Sequence, residues 1–352
     1  MSTQPPATTS AWLLHGTSSN PADPSEALTW TEKLDLPPLG PTDVLVKLYA
    51  WAINYPDLAV ANGTFPWDKT ATTPRIPGSD GAGEVLATGT RVKTLKPHDR
   101  VIPLYYPNFP SGNAPTPAQM RGTPGSSPSA PGTFRLHAVF DKNGLIKMPW
   151  NLTYAEAATL PCSALTAWNA LNGITPLKKG DYVLAQETGG VSIFAILFAL
   201  HAGAVVVATT SDERKAARLK DMGVQHGVTA RNLTPNQLGL QRVIEVGGPQ
   251  TIKQSFECVA AGGEICIIGF LTGLGYGSEN GPTYLEPLLR ACLVRGVEVG
   301  NRVQFEEMVA VIEECGIRPV LDGRRFGFGE LREAYRYVWG RGHFGKVVLE
   351  ER

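Results

Sequence analysis

The stretch VLAQETGGVSIFAIL, Val183 to Leu197, runs from one apolar segment through a glycine pair straight into another. That order describes a buried strand handing over, through a tight turn, to a helix. Glycines at such a turn let backbone N–H groups approach a pyrophosphate at the helix N-terminus. The fingerprint G-x-G-x-x-G/A falls here on Glu187, Thr188, Gly189, Gly190, Val191 and Ser192, so its first glycine is a glutamate. An acid stands where a dianion is expected. At about 6 Å and an effective dielectric of 20–80, that repulsion costs roughly 0.7–3 kcal/mol. Cofactor binding is therefore expected to be weakened by the glutamate and retained.

Outward from this turn the pattern repeats. After it come the strand-like AVVVATT, the helical DERKAARLKDMG, then RVIEVGG, TIKQSFECVAAG and EICIIGF. Strand and helix in alternation predict a doubly wound parallel sheet, a Rossmann-type α/β unit, over 151–299. The first 150 residues have a different texture, rich in proline, glycine and short alternating runs such as DVLVKLYAWAIN (Asp43–Asn54). They predict a mostly antiparallel, partly open β-barrel. Pro107–Gly132 has the composition of a loop. Thr153 and Glu156 form a capping box that starts a helix.

Bulk properties exclude several classes. At 352 residues two domains are expected. The 32 basic and 32 acidic residues cancel, which leaves no electrostatic footprint for nucleic acid or an anionic membrane. The most apolar window, Val191–Leu200, is too short to span a bilayer, and the N-terminus lacks the pattern of a secretory signal. A cytoplasmic location is the expectation. The five cysteines, Cys162, Cys258, Cys266, Cys292 and Cys315, show no C-x-x-C spacing and predict reduced thiols.

By these residues the chain resembles the medium-chain dehydrogenase/reductase superfamily. The resemblance is carried by NYPD (Asn54–Asp57), GSDGAGEV (Gly78–Val85), AATLPCSALTAWNAL (Ala157–Leu171), ETGGVS, VIEVGG (Val243–Gly248) and GKVVL, in order along almost the whole chain. It is most similar to the zinc-independent branch, the quinone oxidoreductases and zinc-type alcohol dehydrogenase-like proteins. The resemblance implies a GroES-like catalytic domain over 1–150, completed by 300–352, around the cofactor domain. In the quinone-reductase branch the slot of Glu187 is commonly alanine, which implies that its first glycine is dispensable.

The resemblance also sets expectations for the site. Zinc-dependent members hold their catalytic metal at positions that fall here on Tyr55, Ser79 and Cys162, and only the last is an ordinary ligand. No cysteine lies where a structural zinc lobe would sit. No zinc is expected. Tyr55 then becomes a candidate proton or hydrogen-bond donor, with Asn54 orienting nicotinamide or substrate. Thr166, Gly247, Gly269, Phe270, Asn301 and Arg302 match segments that touch the cofactor in relatives. The second strand ends in Thr210 and Ser211, with Arg214 and Lys215 one turn on. The absence of an acid there favours NADPH over NADH. Trp67, Tyr105 and His137 are candidate pocket residues, His137 also a candidate proton shuttle.

Two functions are compatible with these residues. One is an NADPH-dependent reductase acting on an enone, enal or quinone-like small molecule, where conjugation delocalises the developing charge without a metal. The other is a redox-silent lyase, isomerase, cyclase or ligand-binding protein using the same interdomain cleft. A homodimer is expected by analogy with relatives.

Overall fold

The computed structural model describes residues 5–65, 74–120, 122–228, 239–275 and 283–351. In chain order the strands begin with β1 (Thr8–Leu14), β2 (Leu28–Asp35), β3 (Asp43–Ala52), β4 (Asp80–Thr88), β5 (Arg100–Pro103), β6 (His137–Asp141) and β7 (Leu145–Lys147). They continue with β8 (Tyr182–Gln186), β9 (Val205–Thr209), β10 (His226–Val228), β11 (Leu240–Glu245), β12 (Val259–Ile267), β13 (Leu293–Gly296), β14 (Phe326–Gly327) and β15 (Val348–Glu350). The chain divides into two compact units, Met1–Ser163 with Asn301–Arg352, and Ala164–Gly300.

The second unit is a six-stranded parallel sheet in the order β10-β9-β8-β11-β12-β13. Helices α4 (Leu165–Asn172), α5 (Gly190–His201), α6 (Glu213–Asp221), α7 (Ile252–Cys258) and α8 (Glu286–Arg290) belong to it. The strand order runs outward from β8 and reverses between β8 and β11, which is the switch point of a doubly wound sheet. Parallel register aligns Val207, Leu184, Val243 and Ile265 in one row across four strands, and all four are buried. That row explains why these strands read as near-continuous apolar runs.

In the first unit β1 and β2 form an antiparallel ribbon, and the other strands form an open seven-stranded sheet. The order is β14-β15-β3-β4-β5-β7, with β6 also on β3. No closed barrel is found among the described residues. One edge of β3 pairs with β4, and the other is shared by β6 near its start and β15 near its end. The core gathers Trp51, Phe134, Phe326, Phe328 and Tyr335, with Trp51 stacked on Phe328 at 3.8 Å. Helices α1 (Tyr55–Ala61), α2 (Pro117–Met120), α3 (Tyr154–Ala157), α9 (Arg302–Cys315) and α10 (Leu331–Trp339) complete this unit.

Two local features bear on the segments joining these elements. Residues 151–163 pack with the first unit, because Tyr154 of α3 stacks on Tyr49 of β3 at 4.9 Å and Arg100 reaches the Leu152 carbonyl. The proline- and glycine-rich segment after Pro107 is laid against Ile76–Gly78. Gly132 N donates to Ile76 O, Thr133 N to Gly78 O, and Arg75 Nη1 to Ser126 O. Among the described residues no helix is long and apolar enough to cross a membrane.

Candidate functional site

At the end of β8 the chain turns through Glu187 with φ of +62°. This left-handed backbone favours glycine, and a Cβ there costs about 1–2 kcal/mol. The expectation that the first glycine is dispensable therefore meets a backbone that asks for one. The Glu187 side chain is exposed, and its N–H reaches Thr209 Oγ1 on β9 at 3.4 Å. Gly189 then stands at the N-cap of α5 without a side-chain cap, and a Cβ added to it would meet nothing within 4 Å. No N-cap side chain occupies the first-turn N–H groups of this twelve-residue helix, which suits a phosphate. Thr188 is buried beside them. Ser192 does not face the opening, because its hydroxyl donates back to Gln186 O at 2.5 Å.

Beneath this turn lies a lock that the sequence reading missed. Glu245, fully buried at the end of β11, accepts from Gly247 N at 2.9 Å, Gly248 N at 3.0 Å and Thr251 Oγ1 at 2.6 Å. Its other oxygen accepts from Gln186 Nε2 at 2.7 Å and from Ser255 Oγ. Gln186 and Glu245 close the ends of the two strands that flank the switch point. Both Gly247 and Gly269 serve close packing: added Cβ atoms would lie 2.2 Å from Thr251 Oγ1 and 2.7 Å from Val246 O. The Gly247 N–H points inward to Glu245, and Phe270 beyond Gly269 is partly exposed.

At the end of β9, Thr210 is buried and accepts from Asp212 N, while Ser211 is exposed. Asp212 caps α6 by accepting from Arg214 N and Lys215 N. The Arg214 guanidinium lies 3.2 Å from the same carboxylate and is otherwise exposed. A 2′-phosphate here would have to compete with Asp212 for that cation.

The first unit holds a second constellation, where β3 ends and β4 and β15 begin. Ala52 is opposite both Asp80 and Val348, so register brings Asn54, Ser79, Asp80 and Lys346 to one end of the sheet. Lys346 is 3% exposed, and its Nζ lies 2.9 Å from Ile53 O, 2.5 Å from Asn54 Oδ1, 3.3 Å from Asp80 Oδ2 and 3.3 Å from Ser163 Oγ. A π-helical turn, Leu160–Ala164, supplies Ser163 Oγ, which donates to Asn54 Oδ1 at 3.1 Å, and Cys162 N, which donates to Asp80 Oδ1 at 3.1 Å. Such turns are frequent at functional sites. The Asn54 amide donates to Ser79 Oγ at 3.3 Å. Asp57 accepts from Asn54 N at 2.8 Å at the start of α1, and burial, with the Asp80 charge adding to it, pushes its carboxyl up to about 7.

The positions corresponding to zinc ligands hold a phenol, a hydroxyl and one thiol, with a buried ammonium among their neighbours. This donor set does not fit a catalytic zinc, which takes three nitrogen, sulfur or carboxylate ligands from protein. Tyr55 opens α1 half-buried, and burial raises its phenol pKa, with the Arg341 charge opposing. The phenol is therefore protonated at neutral pH and able to donate.

The remaining sequence candidates scatter. Thr166 is buried in α4. Asn301 and Arg302 fall in the first unit and are engaged there. Asn301 caps α9 and donates to Gly112 O, while Arg302 binds the Asn143 and Leu145 carbonyls and Glu306. Tyr105 is buried edge-on to Tyr106 at 4.8 Å. Trp67 lies outside the described residues. His137 starts β6, where register sets it opposite Lys47 of β3. Burial and the Lys47 charge lower its pKa.

Family models describing an alcohol dehydrogenase GroES-like domain and a zinc-binding dehydrogenase match residues 40–150 and 190–314. A zinc-type alcohol dehydrogenase-like protein of Schizosaccharomyces pombe is 39% identical over 324 residues, 89% of this chain and 92% of that protein. An alcohol dehydrogenase-type structure from Sinorhizobium meliloti 1021 superposes with a TM-score of 0.80 at 32% identity, covering 97% of this chain and 99% of that one. The crotonyl-CoA carboxylase/reductase AntE, solved in complex with NADP, gives 0.82 at 25% identity over 99% of this chain and 95% of that one. With its doubly wound second unit, its GroES-like first unit and these matches, the chain belongs to the medium-chain dehydrogenase/reductase superfamily of oxidoreductases.

Proposed function

We propose that the chain is a zinc-free, NADPH-dependent reductase that delivers hydride to an activated C=C bond or a quinone of a small molecule. The observation that carries this reading is the set at the metal-ligand positions: Tyr55, Ser79 and Cys162 beside the ammonium of Lys346. Without a Lewis acid an unactivated alcohol has nothing to stabilise its alkoxide, whereas a conjugated acceptor spreads its own charge. NADPH, when bound, supplies the hydride. Thr188, Gly189 and Gly190 at the start of α5 would hold its pyrophosphate, and Thr210, Ser211, Arg214 and Lys215 its adenosine end. Tyr55, protonated at neutral pH, donates to the substrate oxygen as charge develops there. The NADP complex of AntE supports NADPH as the cofactor.

An anaerobic titration with NADPH and NADH, read by nicotinamide fluorescence, tests the cofactor half. Micromolar binding of NADPH with NADH weaker is expected, followed by turnover of enones or quinones that falls about a hundredfold in Tyr55→Phe. No binding of either nucleotide at millimolar concentration would sink the reading. It would leave the redox-silent alternative, which the strained, acidic Glu187 favours.

A further inference from the structure

Lysine is rarely buried without a task, and the ammonium of Lys346 enters no step described so far. Its backbone is fixed first: Lys346 N donates to Val320 O, and Lys346 O accepts from Asp322 N. The side chain then reaches under the end of β3 to four oxygens within 3.3 Å. Two belong to Ile53 and Asn54, the residues immediately before Tyr55. Asp80 and Ser163 supply the others, and Ser163 Oγ also donates to the Asn54 oxygen.

The carboxamide of Asn54 is thereby fixed at both ends. Its oxygen accepts from Lys346 and Ser163, which leaves its amide to donate to Ser79. The backbone N–H of Asn54 is held by Asp57. The Ile53 carbonyl, the Asn54 carboxamide and the Asn54 N–H at the start of α1 are therefore tied, directly or through Asn54, to one buried charge.

We propose that Lys346 is a positioning residue: its ammonium clamps Ile53 O and the Asn54 carboxamide so that α1 starts in one place and the Tyr55 phenol is held in one direction. The catalytic consequence rests on Tyr55 being the donor of the proposed reduction; the clamp itself does not.

The test labels the protein with 3-fluorotyrosine, assigns the Tyr55 fluorine resonance with Tyr55→Phe, and compares wild type with Lys346→Met/Asp80→Asn. The double variant removes the buried charges together, so folding is separated from positioning, and the asparagine oxygen still accepts from Cys162 N. A displaced or split Tyr55 resonance is expected, with NADPH affinity within about twofold because its binding groups lie in the other unit. Turnover of a quinone or enone should fall about tenfold to a hundredfold in kcat. A Tyr55 resonance identical to wild type would overturn the proposal. Should the double variant fail to fold, Asn54→Ser places another residue favoured at helix N-termini but removes the carboxamide oxygen that Lys346 grips, and the same displacement is expected. An unmoved resonance there overturns the proposal equally. Because the fluorine signal needs no turnover, a wild type inert toward every acceptor refutes the reductase reading alone.

Discussion

Glu187 combines a left-handed backbone with an exposed carboxylate two residues before the N-cap Gly189, a like charge for any phosphate bound there. Glu187→Gly relieves the first and removes the second. Stability is expected to rise by about 1 kcal/mol, and NADPH affinity by about threefold to tenfold, since an exposed carboxylate sits at the screened end of the Coulomb range. Thermal melts and a fluorescence titration check the two effects, and a glycine variant that binds NADPH more weakly would mean Glu187 contacts the cofactor favourably. Asp57 offers a pH test. Its carboxyl is raised to about 7 in the folded protein from about 3.8 unfolded, chiefly by burial. The folded state then holds the extra proton between those values, so this group's contribution to stability falls as pH climbs through that window and is flat above it. Asp57→Asn keeps an oxygen for Asn54 N. It should raise the melting temperature by a few degrees at pH 8 and by much less at pH 4.5. At this scale the sequence showed that an acid replaces a glycine, but the sign of φ depends on how β8 meets α5. Lys346 was visible only as part of GKVVL, since its partners lie up to 293 residues away.

Elements are held together in the second unit by an ion triad that no periodicity announces. Glu264 of β12 lies 2.5 Å from Arg242 of β11 and 2.6 Å from Arg295 of β13, all three nearly buried. The two guanidiniums also reach the carbonyls of Ala170 and Asn169 in the last turn of α4, where cations are favoured. Three adjacent strands are thereby fastened to one helix end. Glu264→Gln leaves two buried cations with one neutral acceptor, and a loss of about 3–5 kcal/mol is expected in denaturant unfolding. A loss below about 1 kcal/mol would mean water reaches the arginines. Strand β12 was legible from EICIIGF, because apolar runs report burial whatever their partners are. The triad was not, because a charge within an apolar run has no partner until strand order is known. The π-helical turn at Leu160–Ala164 was not legible for a related reason: its groups answer to Asp80 and Lys346 rather than to local propensity.

For the whole molecule the strand order itself makes a prediction. Among the described residues β13 is the last strand of the parallel sheet, so there one row of its backbone N–H and C=O groups has no strand partner, a template for another strand. The chain around it is apolar and exposed: Leu288 is 75% exposed, Leu289 70% and Leu293 42%. Leu293 lies on the edge strand and Leu288 and Leu289 on α8 just before it, and three such leucines within six residues are more than scattered surface apolar residues. Pairing two such edges antiparallel about a twofold axis would cover them and extend the sheet across both copies. The expected species in sedimentation velocity is therefore twice the 37.8 kDa chain mass. Leu288→Asp/Leu289→Asp should convert it to single chains, because the dimer would bury four carboxylates without partners. NADPH affinity should stay within about twofold, since the phosphate turn follows β8, three strands in from that edge. A wild type that sediments as one chain at tens of micromolar would refute the edge pairing. A double variant that remains dimeric would move the interface to another face.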